Sequence, residues 1–589
     1  MSYLTESLKI EILMMIGYGD RARTQCEVVR LFREKHPDLP PLNQGTISKI
    51  EAQYREMGHV RKVPSKRQAV VDDDTKLNLL LALEENPITP ARQLARDSNL
   101  KDKTVLKILK YEKKNAHIKC KLFKSYLKMI QIDGWSYQEV LPYFLKSEGA
   151  RLENADSRYH NTKGYLSVEE SYKSTLTETF LQGGEEMGLP SIDYNSPTKS
   201  FGLSSMQSTL RNGRRESVAR AFLYPASNRT NLHILTGAFV RKILINGGTA
   251  YGVTYEKGGK IYTVTAKKEV IVSAGCYLKQ WRYGQHPQLL MLSGLGPKSH
   301  LEELGIRCLK DLSVGRNLQD HLIFPGVVYS IPFDGDQTIT RLTGSFLDYV
   351  HSGTGLFTML GGVTGLGFVK TEVSKVKADQ PDIEFMFVQG SLASGFGNFI
   401  KSMLGMKEEF YDETFLPLEG GYQWTIAPVL LHPKSIGSIE LRSRNPHDQP
   451  LIKPDYFSDP ENEDIRTMIA GIREIQKLTN TTAFKIRGAD LNELAVPGCA
   501  DFAFDSDGYW ECSLRSMAYT IYHPIGTAKM GPRYDRTAVV NHRLQVYGIK
   551  NLRVADCSVI PSHISGHTNA AAVMIGEKAS DYIKESWGR

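Results

Sequence analysis

The chain has few cysteines and no long apolar run, and these two features limit the classes of protein to which it can belong. Its seven cysteines are odd in number and form no Cys-x-x-Cys pair, so we expect free thiols rather than a disulfide framework, and no metal site. The apolar run at residues 10–17 is too short to span a bilayer and lacks the basic start and cleavage site of a signal peptide. We therefore expect an intracellular protein, cytoplasmic or nuclear, without a transmembrane segment.

A strict Gly-x-Gly-x-x-Gly turn is also missing from the sequence. Such a turn leads from a strand into a helix whose N terminus holds a dinucleotide pyrophosphate. The glycine-rich runs at residues 361–367 and 394–397 have other spacings, and the looser form ending in alanine occurs once, at residues 17–22. The chain after residue 22 has the pattern of helices with no second strand, so this loose match is a weak signal.

The N-terminal part is rich in positive charge. The net charge of the chain is +8, and residues 1–128 hold the whole positive excess, about +9 by count, which is the balance of a segment with a polyanionic partner. Lysine and arginine in such a segment could neutralise nucleic-acid phosphates. A solvated face of a small helical bundle is the alternative.

Two helix-turn-helix patterns occupy this basic part. In residues 89–110, Thr89 suits a helix N-cap, Pro90 suits the first helical position, and apolar residues follow at helical spacing. The first pattern has the same plan, with a helix at residues 26–33, a proline-rich turn and a second helix at residues 44–50. Residues 4–115 resemble the DNA-binding end of Tc1/mariner-type transposable elements. That resemblance implies duplex DNA as a partner, contacted by Gln44, Thr46, Lys49, Lys103, Thr104 and Lys107.

The rest of the chain carries a different set of motifs. Residues 522–531 begin Tyr-His-Pro-Ile-Gly, and residues 565–570 read Ser-Gly-His-Thr-Asn-Ala. Upstream, residues 289–297 read Leu-Leu-Met-Leu-Ser-Gly-Leu-Gly-Pro, and residues 315–321 read Gly-Arg-Asn-Leu-Gln-Asp-His. In this order the motifs resemble the glucose-methanol-choline (GMC) family of flavin oxidoreductases over residues 134–589.

The resemblance implies FAD as cofactor and oxidation of a CH-OH group of an alcohol or sugar. His523 is the implied base that takes the hydroxyl proton, and His567 is the implied residue that orients the hydroxyl and stabilises alkoxide-like charge. The implied FAD contacts are Val240, Asp556, His567, Thr568 and Asn569. Without the Gly-x-Gly-x-x-Gly turn, we expect FAD to be held weakly or not at all, and inactivity through this truncation stays open.

One segment departs from the family pattern. Residues 276–286 separate the Ser-Ala-Gly at residues 273–275 from the Pro-Gln-Leu-Leu at residues 287–290, about seven residues more than the family has. A surface loop, a disturbed site and a faulty gene model all remain open.

The predicted fold class is multidomain. An all-α tandem helix-turn-helix at residues 1–115 and a junction at 116–133 precede a truncated α/β (α+β) GMC-type FAD fold. The FAD-domain part covers residues 134–321, the substrate domain 322–510, and the C-terminal FAD and active-site part 511–589. Strands are expected at residues 231–235, 240–245 and 269–272. Two alternatives stay open. One is a transposon-derived DNA-binding protein with a passenger GMC-like region, and the other is a gene model that joins unrelated exons.

Overall fold

The computed structural model describes residues 28–30, 32–33, 132–153, 155–196, 199–275, 286–333, 339–359, 361–394, 401–402 and 404–588. The chain divides into two compact units, Met1–Leu109 and Lys110–Arg589. In the first unit the described residues are helical, and Val28 and Phe32 are buried. They lie in the helix expected at residues 26–33. The rest of the tandem helix-turn-helix, with all six residues expected to contact DNA, lies outside the described residues.

The second unit combines helices with several short sheets, in agreement with the α/β class expected. Its strands are β1 (Glu148–Arg151), β2 (Leu166–Glu170), β3 (Gly202–Ser205), β4 (Gln207–Ser208), β5 (Leu210–Arg211), β6 (Arg214–Arg215), β7 (Phe239–Asn246), β8 (Thr249–Lys257), β9 (Lys260–Thr265), β10 (Val270–Val272), β11 (Leu295–Gly296), β12 (Lys310–Asp311), β13 (Leu322–Ile323), β14 (Val328–Ile331), β15 (Val363–Val369), β16 (Ile383–Val388), β17 (Tyr422–Leu430), β18 (Ser438–Glu440), β19 (Leu451–Lys453), β20 (Asp490–Leu491), β21 (Tyr519–Thr520) and β22 (Leu552–Val554).

The α-helices of this unit alternate with the strands. They are α1 (Tyr137–Ser147), α2 (Thr175–Glu186), α3 (Tyr224–Ala226), α4 (His286–Leu292), α5 (Lys298–Glu303), α6 (Ile339–Ser352), α7 (Glu408–Thr414), α8 (Glu463–Thr479), α9 (Thr482–Lys485), α10 (Asp507–Met517) and α11 (Thr568–Ser586). A π-helical turn at Ala219–Leu223 precedes α3, and 3₁₀ turns occur at Leu356–Thr358, Leu416–Leu418 and Cys557–Val559.

The largest sheet has eight strands, in the order β20-β14-β17-β16-β15-β3, with β13 paired to β17 and β21. Because side chains alternate along a strand, Phe385 and Phe387 of β16 face one way, into a core closed by α2 and α8. A small residue lets α2 approach closely, since a Cβ at Gly365 of β15 would lie 2.8 Å from the Phe180 ring of α2. Glu384 and Met386 of β16 face the other way, and this second face is where the functional residues gather.

A second core lies around the short parallel pair β10 and β22, which join Val270 to Leu552 and Val272 to Val554. α1 and α11 pack in this core, along with Trp135 and Val140 near the start of α1. The buried side chain of Arg553, in the middle of β22, lies 2.7 Å from the carboxylate of Glu269, which comes just before β10. It also donates to the Arg543 carbonyl and to Ser586 Oγ. The sheet edge is therefore fixed by an ion pair as well as by apolar packing.

Two expectations from the sequence are confirmed here and one is wrong. β7 contains the strand expected at residues 240–245, and β10 contains most of the one expected at 269–272. Residues 231–235 form no strand. Ile234 and Leu235 are 55% and 52% exposed, so this short apolar run pairs with no sheet and does not enter the core.

The expectation of free thiols is also wrong in part. Cys499 and Cys512 form a disulfide with a Cα–Cα distance of 5.7 Å, while Cys308 and Cys557 are free. The two bonded residues are 13 positions apart, and the chain between them doubles back into α10. Disulfides are typical of oxidising compartments, so the cysteine argument for an intracellular location no longer holds.

The eight-stranded sheet takes strands from both sides of the expected substrate domain, because β3 precedes residue 322 and β21 follows residue 510. The sheet thus crosses both expected ends of the substrate domain, and the boundaries at residues 322 and 510 remain predictions. Within the described part of the chain, no helix is long and apolar enough to cross a membrane.

Glu269→Ala should lower the free energy of unfolding by about 3–5 kcal/mol, because Arg553 would keep a buried charge without its partner. The double variant Glu269→Leu/Arg553→Met should lose much less, since it leaves no unpaired charge. Urea unfolding of both variants and the wild type provides the measurement. Equal losses in the two variants would show that the charge pairing is not what stabilises this edge.

Candidate active site

The loop that carries His523 is held by backbone pairing with the motif at residues 315–321. Gln319 and Ile525 exchange both backbone hydrogen bonds, at 3.3 and 2.9 Å, and the Gly315 N–H donates to the Thr527 carbonyl. Gly526 has φ +88°, and a Cβ there would lie 2.2 Å from the Asn317 carbonyl oxygen. The glycine of the Tyr-His-Pro-Ile-Gly motif is therefore required by this close approach.

His567 ends the loop before α11 and is the N-cap residue of that helix. Its Nε2 lies 2.8 Å from Glu384 Oε1, which comes from β16. Its ring meets the His523 ring edge to face, with centroids 4.8 Å apart and an interplanar angle of 83°. The structure thus brings together the two histidines expected to be catalytic, and adds a carboxylate to them.

Several residues of the site were given no role from the sequence. His321 Nδ1 lies 3.0 Å from His523 Nδ1, and His321 Nε2 lies 3.1 Å from the Leu431 carbonyl oxygen. The His563 ring lies against that of His321, with centroids 3.8 Å apart. The Asp320 carboxylate accepts the His523 backbone N–H at 3.1 Å and the Tyr456 hydroxyl at 2.8 Å. The one sequence signal of Asp320, His321 and His563 is a position within or beside the motifs at residues 315–321 and 565–570.

Glu384 carries a clearer signal that could have been used. It is a lone carboxylate in the apolar strand sequence Ile-Glu-Phe-Met-Phe-Val, and its side chain is fully buried. Glu384 Oε2 has no hydrogen-bond partner among the described residues. A buried carboxylate is costly unless it is paired, so such a residue in a central strand indicates a partner from elsewhere in the chain.

Burial and neighbouring charges separate the histidines into two kinds. Burial, together with the adjacent rings, holds the pKa of His523, His321 and His563 well below the usual value. Burial also lowers the pKa of His432 to about 4. Burial acts to lower the pKa of His567 as well, but the charge of Glu384 and its hydrogen bond raise it overall. The His567 side chain is 33% exposed, so the Glu384 carboxylate, through its charge and hydrogen bond together, has a larger effect on its pKa than burial has. The cluster holds neutral rings next to one ring that readily takes a proton.

The residues expected to hold FAD lie in three places, after β22, at the start of α11 and in β7. Asp556 follows β22, and its carboxylate accepts the Gly275 N–H at 2.9 Å and the Ser558 N–H at 2.9 Å. Thr568 and Asn569 form the first turn of α11. Val240 lies in β7, where it pairs with Tyr255 of β8. The structure therefore brings Asp556 to the turn after β10.

The described residues fit part of an FAD molecule. α11 is 19 residues long, its N-cap side chain makes no capping hydrogen bond, and Asn569 is exposed. Free N–H groups at the start of a long helix suit a polarised carbonyl or an anion. Gly275 has φ +73°, and no atom of the described residues lies within 4 Å of where its Cβ would be, which allows close approach of a ligand to the backbone. The weak hold on FAD, expected from the missing glycine turn, stays a prediction.

Acid should lower the free energy of unfolding, and each buried histidine with a lowered pKa should add to this loss. An unfolded His titrates near 6.5, whereas the folded pKa of His563 is well below that value, so below about pH 6.5 the unfolded chain binds more protons than the folded one. Each such residue then costs about 1.4 kcal/mol of stability per pH unit, until its folded pKa is reached. We expect Tm to fall between pH 7 and pH 5, and less steeply in His563→Phe, which retains a ring against His321. A slope unchanged by this substitution would show that His563 titrates normally in the folded state.

Comparison with known protein families gives two matches, one in each half of the second unit. A GMC oxidoreductase N-terminal model matches residues 121–323, and a GMC oxidoreductase C-terminal model matches residues 433–576. Glucose dehydrogenase [FAD, quinone] of Drosophila pseudoobscura pseudoobscura is 38% identical over 465 residues, 77% of this chain and 69% of that protein. Mitochondrial choline dehydrogenase of Homo sapiens is 34% identical, over 77% of this chain and 70% of that protein. Ecdysone oxidase of Bombyx mori is 33% identical, over 77% and 65%.

Solved structures agree with these matches. A variant of formate oxidase from Aspergillus oryzae has a TM-score of 0.65 at 26% identity and covers 79% of this chain and 81% of its own. An FAD-dependent oxidoreductase from Chaetomium thermophilum has the same fold, with a TM-score of 0.66 at 23% identity over 79% and 83%. The resemblance seen in the motifs is confirmed: this chain belongs to the GMC oxidoreductase family, and its cofactor is FAD.

Proposed function

We propose that this protein oxidises an alcohol at a CH-OH carbon, with His523 as the base that takes the hydroxyl proton. The observation that carries the proposal is the buried His523 ring in edge-to-face contact with His567, which is itself paired with Glu384. A neutral imidazole has a lone pair ready to accept a proton, whereas a protonated one does not. Because burial lowers the His523 pKa, the ring is in the competent state over the whole neutral range.

His567 takes the complementary role. Its pKa is raised by Glu384, so it readily holds a proton and can donate a hydrogen bond to the substrate oxygen. Charge develops on that oxygen as its proton leaves, and a donor aimed at developing charge stabilises the transition state. Glu384 orients the ring through the 2.8 Å contact. One histidine with a lowered pKa and one with a raised pKa can thus act on the same substrate hydroxyl group, the first as proton acceptor and the second as hydrogen-bond donor.

FAD, when bound, accepts the hydride that leaves the carbinol carbon. Asp556, Thr568 and Asn569 would hold it, together with Val240 at the far end. The Asp556 carboxylate fixes the Gly275 turn, and the first turn of α11 offers backbone donors immediately after His567. Cofactor-binding and proton-accepting groups therefore belong to neighbouring segments of chain.

The second face of the large sheet indicates the substrate class. On this face Leu366 and Phe368 of β15 lie opposite Met386 and Glu384 of β16. Leu431, whose carbonyl oxygen contacts His321, packs in the same apolar cluster, with Tyr194 and Val388 at its margin. Apart from Glu384, these residues are apolar and offer few partners for the several hydroxyls of a sugar. We infer that the substrate is an alcohol with an apolar body.

His523→Ala should slow flavin reduction by about 10² to 10⁴ fold, the usual contribution of a positioned base. The measurement is anaerobic stopped-flow bleaching of flavin absorbance, with FAD added to saturate the protein. Glu384→Gln is the companion variant, because its amide oxygen can still accept from His567 but the negative charge is gone. A rate independent of His523 would show that another group takes the proton.

The substrate class is tested with a panel at equal concentration: an apolar aryl or sterol alcohol, glucose and choline. We expect the apolar alcohol to reduce the flavin fastest. Met386→Gln should raise its KM by about 10-fold, because a polar group then faces the apolar body. Ile486→Gln, the same kind of change at a position 78% exposed, is the matched control. Preference for glucose, unchanged by Met386→Gln, would overturn the assignment.

A further inference from the structure

The His321–His523 contact is unusual because it joins two like nitrogen atoms. The two Nδ1 atoms lie 3.0 Å apart, and both rings are buried, with His321 at 0% and His523 at 8% exposure. A neutral imidazole carries one N–H and one lone pair. One ring must therefore donate through Nδ1 and the other must accept, and the contact itself does not say which.

The Leu431 carbonyl oxygen decides the direction. It can only accept, and it lies 3.1 Å from His321 Nε2, so His321 carries its proton on Nε2. His321 Nδ1 then holds the lone pair and accepts from His523 Nδ1–H. The proton of His523 is thereby placed on Nδ1, and its Nε2 is left as the free lone pair.

The opposite arrangement is disfavoured. It would place the His321 Nε2 lone pair against the Leu431 carbonyl lone pairs and leave a buried acceptor without a donor. The loss of one such buried hydrogen bond corresponds to roughly one to two orders of magnitude in population. A doubly protonated His321 could donate both to the Leu431 carbonyl and to His523 Nδ1, but burial holds the pKa of His321 well below its usual value, so this form is disfavoured at neutral pH. The neutral rings thus have one favoured pattern of protons.

We infer that His321 is a positioning residue that fixes the tautomer of His523, keeping His523 Nε2 unprotonated and available to the substrate hydroxyl. Its benefit to catalysis rests on the proposed function, whereas the tautomer itself does not. In water the Nε2–H form of histidine competes with the Nδ1–H form, so a base that must use Nε2 gains from a partner that occupies Nδ1. His321 contributes this without touching the substrate.

His563 supports the arrangement from the other side. Its ring covers that of His321 at 3.8 Å between centroids and 31° between planes, and its side chain is 1% exposed. This stacking keeps the His321 ring in the orientation that serves both hydrogen bonds. It also limits access of water, which could otherwise replace the Leu431 carbonyl and allow either tautomer.

The direct test is 15N NMR of the full-length protein with 15N-labelled histidine and FAD added. The His523 signals are identified by their loss in His523→Asn. We expect the unprotonated imidazole nitrogen of His523 to be Nε2. A proton on Nε2 in the wild-type protein would overturn the inference, whatever the activity of the chain.

Two substitutions of His321 separate tautomer control from simple packing. His321→Gln retains an acceptor for His523 Nδ1–H and a donor for Leu431, so it should keep the Nε2 lone pair. His321→Leu removes both, and should shift His523 toward the Nε2–H form and slow flavin reduction by roughly 10- to 100-fold with little change in KM. His300→Leu is the matched control. It removes the acceptor of the Leu441 N–H at 3.0 Å outside the cluster, and should not move the His523 signals.

The outcomes are distinguishable from failure of the proposed function. If the wild-type tautomer is as stated but no alcohol reduces the flavin, the proposed function fails and the positioning role of His321 stands. If alcohols are oxidised but His321→Leu and His321→Gln behave alike in both NMR and rate, the positioning role fails. Should His321→Leu not fold, the wild-type and His321→Gln spectra still decide the point.

Discussion

The site depends on the pairing of two chain segments that are about two hundred residues apart in sequence. Gln319 and Ile525 exchange backbone hydrogen bonds. His321 and His523 each lie two residues from this bridge, so the bridge brings their rings together. Side chains cannot enter between the segments, since a Cβ at Gly526 would collide with the Asn317 carbonyl oxygen. Gly526 is therefore a steric requirement of the bridge, and the positions of the two histidines depend on it.

Burial of several imidazoles in one place has opposite effects on stability and on chemistry. Low polarity keeps His523 neutral, which suits a base, but every buried neutral histidine makes the folded state more sensitive to acid. Glu384 reverses the effect for His567 alone, because its carboxylate is fully buried and close to that ring. A single strand residue thus separates the properties of two histidines whose rings are in contact. This is the pattern expected when two titratable groups share one substrate in different roles.

The sequence predicted those parts of the site that lie in continuous motifs. His523, His567 and the segment ending at Asp556 could be found because the motif carries the residue and its local turn together. Glu384 could not be assigned in that way, since it meets His567 across 183 residues and only the sheet brings them together. The apolar run at residues 231–235 misled for a related reason. Alternation predicts a strand only where a neighbouring strand exists to pair with, and Ile234 and Leu235 stay exposed.

The segment at residues 565–569 connects the histidine cluster with the residues at the start of α11 that are expected to hold FAD. The Ser565 hydroxyl lies 2.9 Å from His432 Nε2, and His567 contacts Glu384 on the large sheet. Thr568 and Asn569 of this segment open α11, which packs in the second core. Because a helix of 19 residues is stiff, the position of His567 relative to the sheet and the position of the helix N terminus cannot be adjusted independently. Any substitution that tilts α11 should therefore change proton transfer and cofactor binding together, which explains why both sets of residues lie in one short motif.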